Sequence, residues 1–283
     1  MNADLKAVQP PSLVTMSVVL AALLFLYFPF LQTLVADWGT NDDYSHGYFI
    51  PALTIYFIYT RRDQLRRTPI VPSNYGLAVI IVGLGQLILA KIGAEFFLQR
   101  TSLIVVLLGL VLFFYGWRYL SILFVPIAYL LFMVPLPAIL WNTISFPMQL
   151  FASYLTEKVV YFIGIPIFRE GNILHLAETT LEVVAACSGL RSLVTMFALS
   201  AALAFLSSLP NWKKLLLFAA AMPIAVIANI ARLSFTAILS SQYGSQMAQG
   251  FLHEFSGIAV FFFGLGLLLV VNKLLVGQAK NET

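Results

Sequence analysis

Charged side chains are scarce in this sequence of 283 residues. Asp, Glu, Lys and Arg make up 10% of it and hydrophobic residues 60%, against about 25% and 45–50% in an average soluble domain. The mean hydropathy is +0.92, and apolar runs recur from Leu13 to Val276. This composition excludes a soluble globular enzyme, a disordered chain and a peripheral protein with one anchor. It predicts an all-α polytopic membrane protein.

Cysteine is nearly absent, since Cys187 is the only one in the chain. A single thiol excludes an intrachain disulfide, a zinc site built from several cysteines and an iron–sulfur cluster. The sequence also has no P-loop, no G-x-G-x-x-G motif and no His or acidic cluster with metal-ligand spacing. We therefore expect neither a metal nor a cofactor.

The apolar runs predict about eight transmembrane helices. In chain order, the predicted spans are residues 13–36, 48–60, 75–92, 96–116, 119–134, 188–209, 215–240 and 255–271. Residues 144–164 are also apolar but contain Pro147, Glu157 and Lys158, which favours an interfacial or re-entrant helix. We expect a single domain over residues 1–283.

Residues 165–186 predict a short β-hairpin. The segment is rich in β-branched residues, and Gly171-Asn172 is a turn signal. Because lipid offers no partners to such backbone, the hairpin has to lie in water or protein. We place it on the outer face of the membrane.

Basic residues are distributed unevenly between alternate loops. With a cytoplasmic N-terminus and eight spans, the inner segments hold ten of the sixteen Lys and Arg residues but three of the twelve acidic ones. Basic residues retained in cytoplasmic loops set the orientation of a membrane protein. We therefore expect both termini to be cytoplasmic.

Cys187 lies where the predicted hairpin ends and the sixth span starts, in the sequence Ala-Ala-Cys-Ser-Gly-Leu-Arg-Ser. A lone membrane cysteine can also be a small apolar filler. A helix N-terminus and a nearby cation, however, both lower a thiol pKa. Arg191 follows four residues later, on the same helix face. This context predicts a reactive thiolate.

An arginine and two histidines are predicted at the same outer face. Arg232 lies 17 residues after Leu215, about 26 Å along a helix that crosses about 30 Å of hydrocarbon. A snorkelling interfacial arginine is the alternative interpretation, but an ionisable residue within a span is a functional candidate with Asn229 as a polar partner. His253 opens the eighth span and His46 opens the second.

Cys187, Arg232 and His253 together predict a cysteine acyl-transfer site. The thiolate would be the nucleophile, the histidine the base, and the guanidinium the group that binds a carbonyl oxyanion. Arg191 and Asn229 are candidates for supporting roles, as are Ser188 and His46.

The sequence resembles the exosortase/archaeosortase family over most of its length. The matching residues are Asp43-Tyr44-Ser45-His46-Gly47, Val134-Pro135-Leu136-Pro137, Glu170-Gly171-Asn172, the block from Ala186 to Ser192, Asn229-x-x-Arg232 and His253. The resemblance implies that Cys187, Arg232 and His253 are the catalytic residues. Many relatives have an acidic residue two positions before the cysteine, where this chain has Ala185.

The resemblance implies a cysteine endopeptidase and transpeptidase of the cell inner membrane. It would cleave C-terminal sorting signals of the Pro-Glu-Pro (PEP-CTERM) type at the periplasmic face. Its partners would be exported proteins that carry a motif, one helix and a basic tail, together with membrane lipid and an acyl acceptor, but no nucleic acid. The alternative is a transporter or assembly factor for envelope polysaccharide, which predicts paired charges deep within spans and broken helices.

Overall fold

The computed structural model describes residues 11–177, 179–183, 189–243 and 251–281. Over these ranges the chain is mainly α-helical and includes one small antiparallel sheet. The α-helices are α1 (Leu13–Thr40), α2 (Phe49–Thr60), α3 (Arg62–Arg67), α4 (Tyr75–Ile92), α5 (Phe96–Tyr115), α6 (Trp117–Ala128), α7 (Ala138–Phe162), α8 (Leu190–Leu206), α9 (Asn211–Tyr243) and α10 (Phe251–Asn281). The strands are β1 (Ile167–Glu170), β2 (Ile173–Leu176) and β3 (Thr180–Glu182).

The chain forms two compact units, Met1–Pro137 and Ala138–Thr283. The first contains α1 to α6 and the 3-10 helices Asp42–Tyr48 and Tyr129–Met133. The second contains α7, the sheet and the helices that follow it. The organisation as one domain over 1–283 stays a prediction.

The protein is a multi-pass membrane protein. Within the described residues, five helices are long and apolar enough to cross a membrane, and a broken pair makes a sixth candidate. The five are Leu13–Thr40, Tyr75–Ile92, Phe96–Tyr115, Asn211–Gln242 and Gly257–Gly277. They correspond to the first, third, fourth, seventh and eighth predicted spans.

The other three predicted spans take shorter or interrupted forms. The second is a helix of 12 residues, about 18 Å long against about 30 Å of hydrocarbon. The sixth is a helix of 17 residues. The fifth belongs to the broken pair Trp117–Met133 and Ala138–Phe162, whose second member includes most of the predicted interfacial segment 144–164. A count of eight full crossings therefore stays a prediction.

The first helix is longer than predicted, because residues 37–40 continue α1 instead of starting a loop. Asp37 forms an ion pair with Arg100 of α5, with 2.6 Å between the carboxylate Oδ2 and Nη2. The Arg100 side chain is only 6% exposed. A buried arginine without its partner costs several kcal/mol, so this pair ties α1 to α5 and keeps the acidic end of α1 helical.

The Asp-Tyr-Ser-His-Gly motif bonds to the backbone around the Val-Pro-Leu-Pro segment. Trp38 Nε1 donates to the Met133 carbonyl over 2.8 Å, and His46 Nε2 donates to the Phe132 carbonyl over 3.1 Å. Tyr44 forms a hydrogen bond with the Leu136 main chain. Proline ends the helix here because it lacks an N–H, and these side chains bond to main-chain groups next to the break.

Burial favours the neutral forms of His46 and Tyr44 in this motif. It lowers the pKa of His46 below the usual 6.5, although the Phe132 and Asp43 carbonyls oppose the shift. Burial also raises the pKa of Tyr44 to about 12, and the charges of Asp43 and Asp37 add to that rise. At neutral pH the motif therefore bonds to the backbone through uncharged donors and acceptors.

The predicted hairpin is confirmed as β1 and β2, joined by a turn at Gly171 and Asn172. Gly171 has φ +62, a left-handed conformation that glycine adopts without a steric cost. The prediction of a simple hairpin was wrong in one respect, because β3 adds a third strand antiparallel to β2. The residues between β2 and β3 in the sequence are Ala-Glu-Thr, which carry no Gly, Pro or Asn signal for a turn.

One face of the sheet packs between α7 and α9. Leu174 is buried in a cluster with Ala152 of α7 and Leu233 of α9, and Ile167 and Leu181 pack against it. The other face carries the exposed Phe168, which stacks on His175 with 6.1 Å between ring centroids. Strand alternation thus gives one apolar face toward the helices and one polar face away from them.

The structure predicts opposite effects for two glycine-to-alanine substitutions. A Cβ on Gly47 would collide with the Trp38 indole, so Gly47→Ala should displace the ring from Met133 and cost about 1–3 kcal/mol of unfolding free energy. Gly85→Ala is the matched control, because a Cβ there meets nothing within 4 Å and a helical alanine adds about 0.5–1 kcal/mol. Thermal unfolding in detergent measures both, and equal shifts would contradict the packing of Gly47 on Trp38.

Candidate active site

Two of the predicted site residues lie one turn apart on α9. Asn229 is 1% exposed, and Arg232 is half-buried with its Nη2 atom inside the protein. Residues three apart on a helix share a face. The next residue, Leu233, belongs to the cluster beneath the sheet. The turn of α9 at residues 229–233 therefore carries the Asn229 amide and the Arg232 guanidinium next to a residue that packs on the sheet.

Gly189 brings the start of α8 directly onto Asn229. Its φ is +86, and a Cβ at this position would lie 3.0 Å from both Cβ and Cγ of Asn229. Both the left-handed backbone and the close approach favour glycine. Its carbonyl accepts from the Leu193 N–H over 2.8 Å, which starts the helix. The glycine of the Cys-Ser-Gly block is thus required by geometry.

Val183 brings the end of the sheet onto the same turn of α9. It is 1% exposed and lies in a cluster with Leu174, Ala152 and Leu233. Its N–H donates to the Asn172 carbonyl over 2.9 Å. Val183 and Gly189, which border residues 184–188, therefore contact Leu233 and Asn229 of this turn. Cys187 and Ser188 belong to this interval, which lies outside the described residues.

His253 lies in the first turn of α10, on the same end of the helices as Arg232. Leu190 of α8 shares a cluster with Ala225 of α9, and Phe261 of α10 packs against it. Arg232 is seven residues beyond Ala225 on α9, which is about 10 Å along that helix from the cluster. His253 is eight residues before Phe261 on α10, which is about 12 Å along that helix from the same cluster. The His253 side chain is not among the described groups.

The sixth span was predicted to start at Ser188, but α8 begins at Leu190, after Gly189 with its left-handed backbone. Cys187 lies outside the described residues, so its relation to Arg191 stays a prediction. Arg191 is half-buried in the first turn of α8, and its carbonyl accepts from Thr195 Oγ1 over 3.0 Å.

His46 lies in the first unit, where its imidazole bonds to the Phe132 carbonyl. It was predicted as a supporting residue, and the bond it forms here is a structural one. Its lowered pKa makes it neutral at pH 7, so it is a poorer proton donor there than an ordinary histidine. A direct part in the active site stays a prediction.

The structure adds Asn172 to the residues around this site, and sequence reasoning had given it no role. Its side-chain Nδ2 donates to the Val183 carbonyl over 3.2 Å. Val183 precedes Cys187 by four residues in the sequence. The turn signal Gly171-Asn172 locates the residue, but the partner follows only from the register of β2 and β3. That register depends on the third strand, which the sequence did not reveal.

A sequence profile of the transmembrane exosortases matches residues 38–270. The match covers about four-fifths of the chain and includes both compact units. The chain therefore belongs to the transmembrane exosortase family. Comparison with curated proteins and with solved structures finds no match.

The contact between Gly189 and Asn229 predicts that substitutions at the two positions are coupled. Gly189→Ala should lower the unfolding temperature through its positive φ, which costs an L-residue about 1–2 kcal/mol, and through crowding of Asn229. Adding Asn229→Ala removes Cγ and Nδ2, so the double variant should recover part of the loss. Gly266→Ala, with nothing within 4 Å of its Cβ, is the control. Strictly additive losses would contradict the contact.

Proposed function

We propose that this exosortase is a membrane-embedded cysteine endopeptidase that cleaves C-terminal sorting signals of exported proteins. The supporting observation is that Val183 and Gly189, the residues on either side of 184–188, both contact the turn of α9 that carries Arg232. Val183 packs against Leu233, and Gly189 packs on Asn229. A nucleophile in this interval would be near a guanidinium that can bind an oxyanion.

Covalent geometry limits how far Cys187 can be from that turn. Two trans peptide links separate it from Gly189, so the two Cα atoms can be at most about 7 Å apart. Gly189 is itself in van der Waals contact with Asn229, with 3.0 Å between its projected Cβ and Asn229 Cγ. This short path makes Cys187 and Arg232 a plausible pair for one reaction centre.

The proposed reaction begins with the thiol of Cys187. His253 takes its proton, and the thiolate attacks the scissile carbonyl. Arg232 binds the resulting oxyanion with its guanidinium. The intermediate collapses, the C–N bond breaks, and His253 returns the proton to the leaving amine. A thioester then joins the substrate to Cys187.

Transfer of the acyl group completes the proposed cycle. An acceptor amine, an acceptor hydroxyl or water attacks the thioester and loses a proton to His253. The C–S bond breaks, and His253 passes that proton to the Cys187 thiolate, which restores the thiol. Transfer to an amine or hydroxyl makes the enzyme a transpeptidase or transesterifying enzyme, and transfer to water makes it a hydrolase. The chemistry requires no metal or cofactor.

The proposed substrate is an exported protein whose C-terminus carries a motif, one membrane helix and a basic tail. Its helix would lie in the inner membrane with the basic tail in the cytoplasm. The motif would then reach the periplasmic face, where the distribution of basic residues puts the site if the chain makes eight crossings with cytoplasmic termini. Apolar side chains are exposed on the long helices, such as Phe25 at 87% and Leu89 at 72%. They provide an apolar surface for membrane lipid and for the substrate helix.

The decisive experiment removes the thiol. Cys187→Ala should abolish processing of a co-expressed tail-bearing protein, followed by intact mass, while the enzyme still accumulates in the membrane. Cys187→Ser should be nearly as inactive, because a hydroxyl has a far higher pKa than a thiol and ionises much less. Full processing by Cys187→Ala would exclude a cysteine enzyme and favour the transport or assembly alternative.

The same single thiol provides a control for location. A membrane-impermeant maleimide added to intact spheroplasts should label Cys187, and the Cys187→Ala variant gives the background. Labelling that requires lysis of the cells would put the thiol on the cytoplasmic side and contradict the periplasmic site.

Lysine substitutions should separate the two arginines. Arg232→Lys should lower processing by at least about tenfold, because an ammonium cannot give the two parallel N–H bonds of a guanidinium. Arg191→Lys keeps the charge in the first turn of α8 and should be milder. Rates with a co-expressed substrate measure both, at matched membrane levels. If Arg191→Lys is the inactive variant, the two roles have to be exchanged.

A further inference from the structure

Five arginines collect at one end of the first unit and form what we call the arginine cluster. They are Arg61, Arg62, Arg66 and Arg67, in and beside α3, and Arg118 in the first turn of α6. Four of the five are exposed. Asp63 is the only acidic residue within residues 56–75 and 115–121. This end of the unit therefore carries a strong positive charge.

The arginine cluster lies beside the ends of two candidate membrane helices. Helices α4 and α5 are both long and apolar enough to cross a membrane, and α4 begins at Tyr75 where α5 ends at Tyr115. The Val71 N–H donates to the Tyr115 carbonyl over 3.3 Å. The Tyr75 and Trp117 rings lie 6.5 Å apart between centroids. These contacts join the segment after α3 and the start of α6 to one membrane boundary.

Main-chain contacts hold the cluster on a fixed platform. Tyr119 Oη donates to the Leu65 carbonyl over 2.8 Å, which fastens α3 to the first turn of α6. A Cβ on Gly116 would collide with the Val71 carbonyl oxygen, and the φ of +86 there also favours glycine. Basic residues set the orientation of a membrane protein by their charge alone. That role needs no fixed platform, so the geometry points to a further one.

The side chains of the cluster suit a phosphate in the headgroup layer of a membrane. Residues 61–74 contain four arginines and no lysine, and a guanidinium gives phosphate the parallel N–H bonds that an ammonium cannot. The rings of Tyr59, Tyr75 and Trp117 are each more than half exposed, and such rings settle at the headgroup level. The Arg62 guanidinium carbon lies 4.1 Å from the Tyr59 ring centroid. Charge and aromatic surface therefore occur together.

We propose that the arginine cluster binds the headgroup phosphate of an anionic phospholipid through its guanidinium groups. The charges are complementary, and lipid surrounds the ends of α4 and α5 in a multi-pass protein. Basic clusters next to membrane helices are typical of sites for anionic lipid. The site belongs to the first unit and does not depend on the cysteine chemistry proposed for the second. Lipid bound to the folded protein alone would stabilise it.

The test measures lipid binding to the purified full-length protein in a non-ionic detergent. Short-chain phosphatidylglycerol should bind saturably and raise the unfolding temperature, and phosphatidylcholine of the same chain length should do neither. Added salt should weaken the binding, because it screens exposed charges. Excess inorganic phosphate should not displace the lipid. Equal binding of the two lipids, or displacement by phosphate, would overturn the proposal.

Paired substitutions locate the site. Arg66→Gln combined with Arg67→Gln should raise the dissociation constant for phosphatidylglycerol at least about fivefold. The control pair, Lys91→Gln with Lys273→Gln, removes the same charge from two exposed positions, and Lys91 lies at the opposite end of α4. It should keep the constant within about twofold. An equal loss in both pairs would indicate a response to net charge and contradict the site.

A lysine pair separates lipid binding from membrane orientation. Arg66→Lys with Arg67→Lys keeps both charges, and so the orientation of the chain, but removes two guanidinium groups. The dissociation constant for phosphatidylglycerol should still rise at least about threefold. Wild-type affinity in this pair would show that charge alone is needed and would overturn the proposal. The lysine pair decides the question if the glutamine pair does not accumulate in the membrane.

Discussion

One turn of α9 determines the arrangement of the second unit. Residues 229–233 receive the start of α8 through Gly189 and the end of the sheet through Val183. Substitutions are restricted at both contacts. Gly189 has no room for a side chain beside Asn229, and Val183 is buried at 1% exposure. Only five residues separate Val183 from Gly189, and the entropy cost of closing a loop grows with its length.

The polar motifs in this chain share one physical task, which is to satisfy backbone groups where regular structure stops. Trp38 and His46 donate to carbonyls beside the proline break at the end of the first unit. Asn172 and Ser153 do the same at the sheet turn and strand end. Irregular backbone at membrane depth is tolerated only when protein or water satisfies it. Polar side chains are few in this chain, and these four lie where main-chain groups need a hydrogen-bond partner.

The sequence predicted the apolar helices and the sheet turn well, because both depend on local pattern. Runs such as Tyr75–Ile92 end where the apolar residues end, and Gly171-Asn172 is a turn in any sheet. Prediction from the sequence failed where long-range contacts determine the structure. Helix α1 continues through Asp37 because Arg100 neutralises that residue. Strand β3 forms because it pairs with β2. The predicted helix start at Ser188 also failed, because the left-handed backbone of Gly189 precedes the first helical residue, Leu190.

The two contacts on this turn of α9 and at the strand end differ in kind. Packing of Gly189 on Asn229 is a steric contact, which sets how closely α8 approaches α9 but leaves its direction open. The bonds between Asn172 and Val183 are directional, because a hydrogen bond weakens steeply once its angle falls. The orientation of Val183 therefore depends chiefly on the sheet, and the distance between α8 and α9 at Gly189 depends on the size of the side chains that meet there.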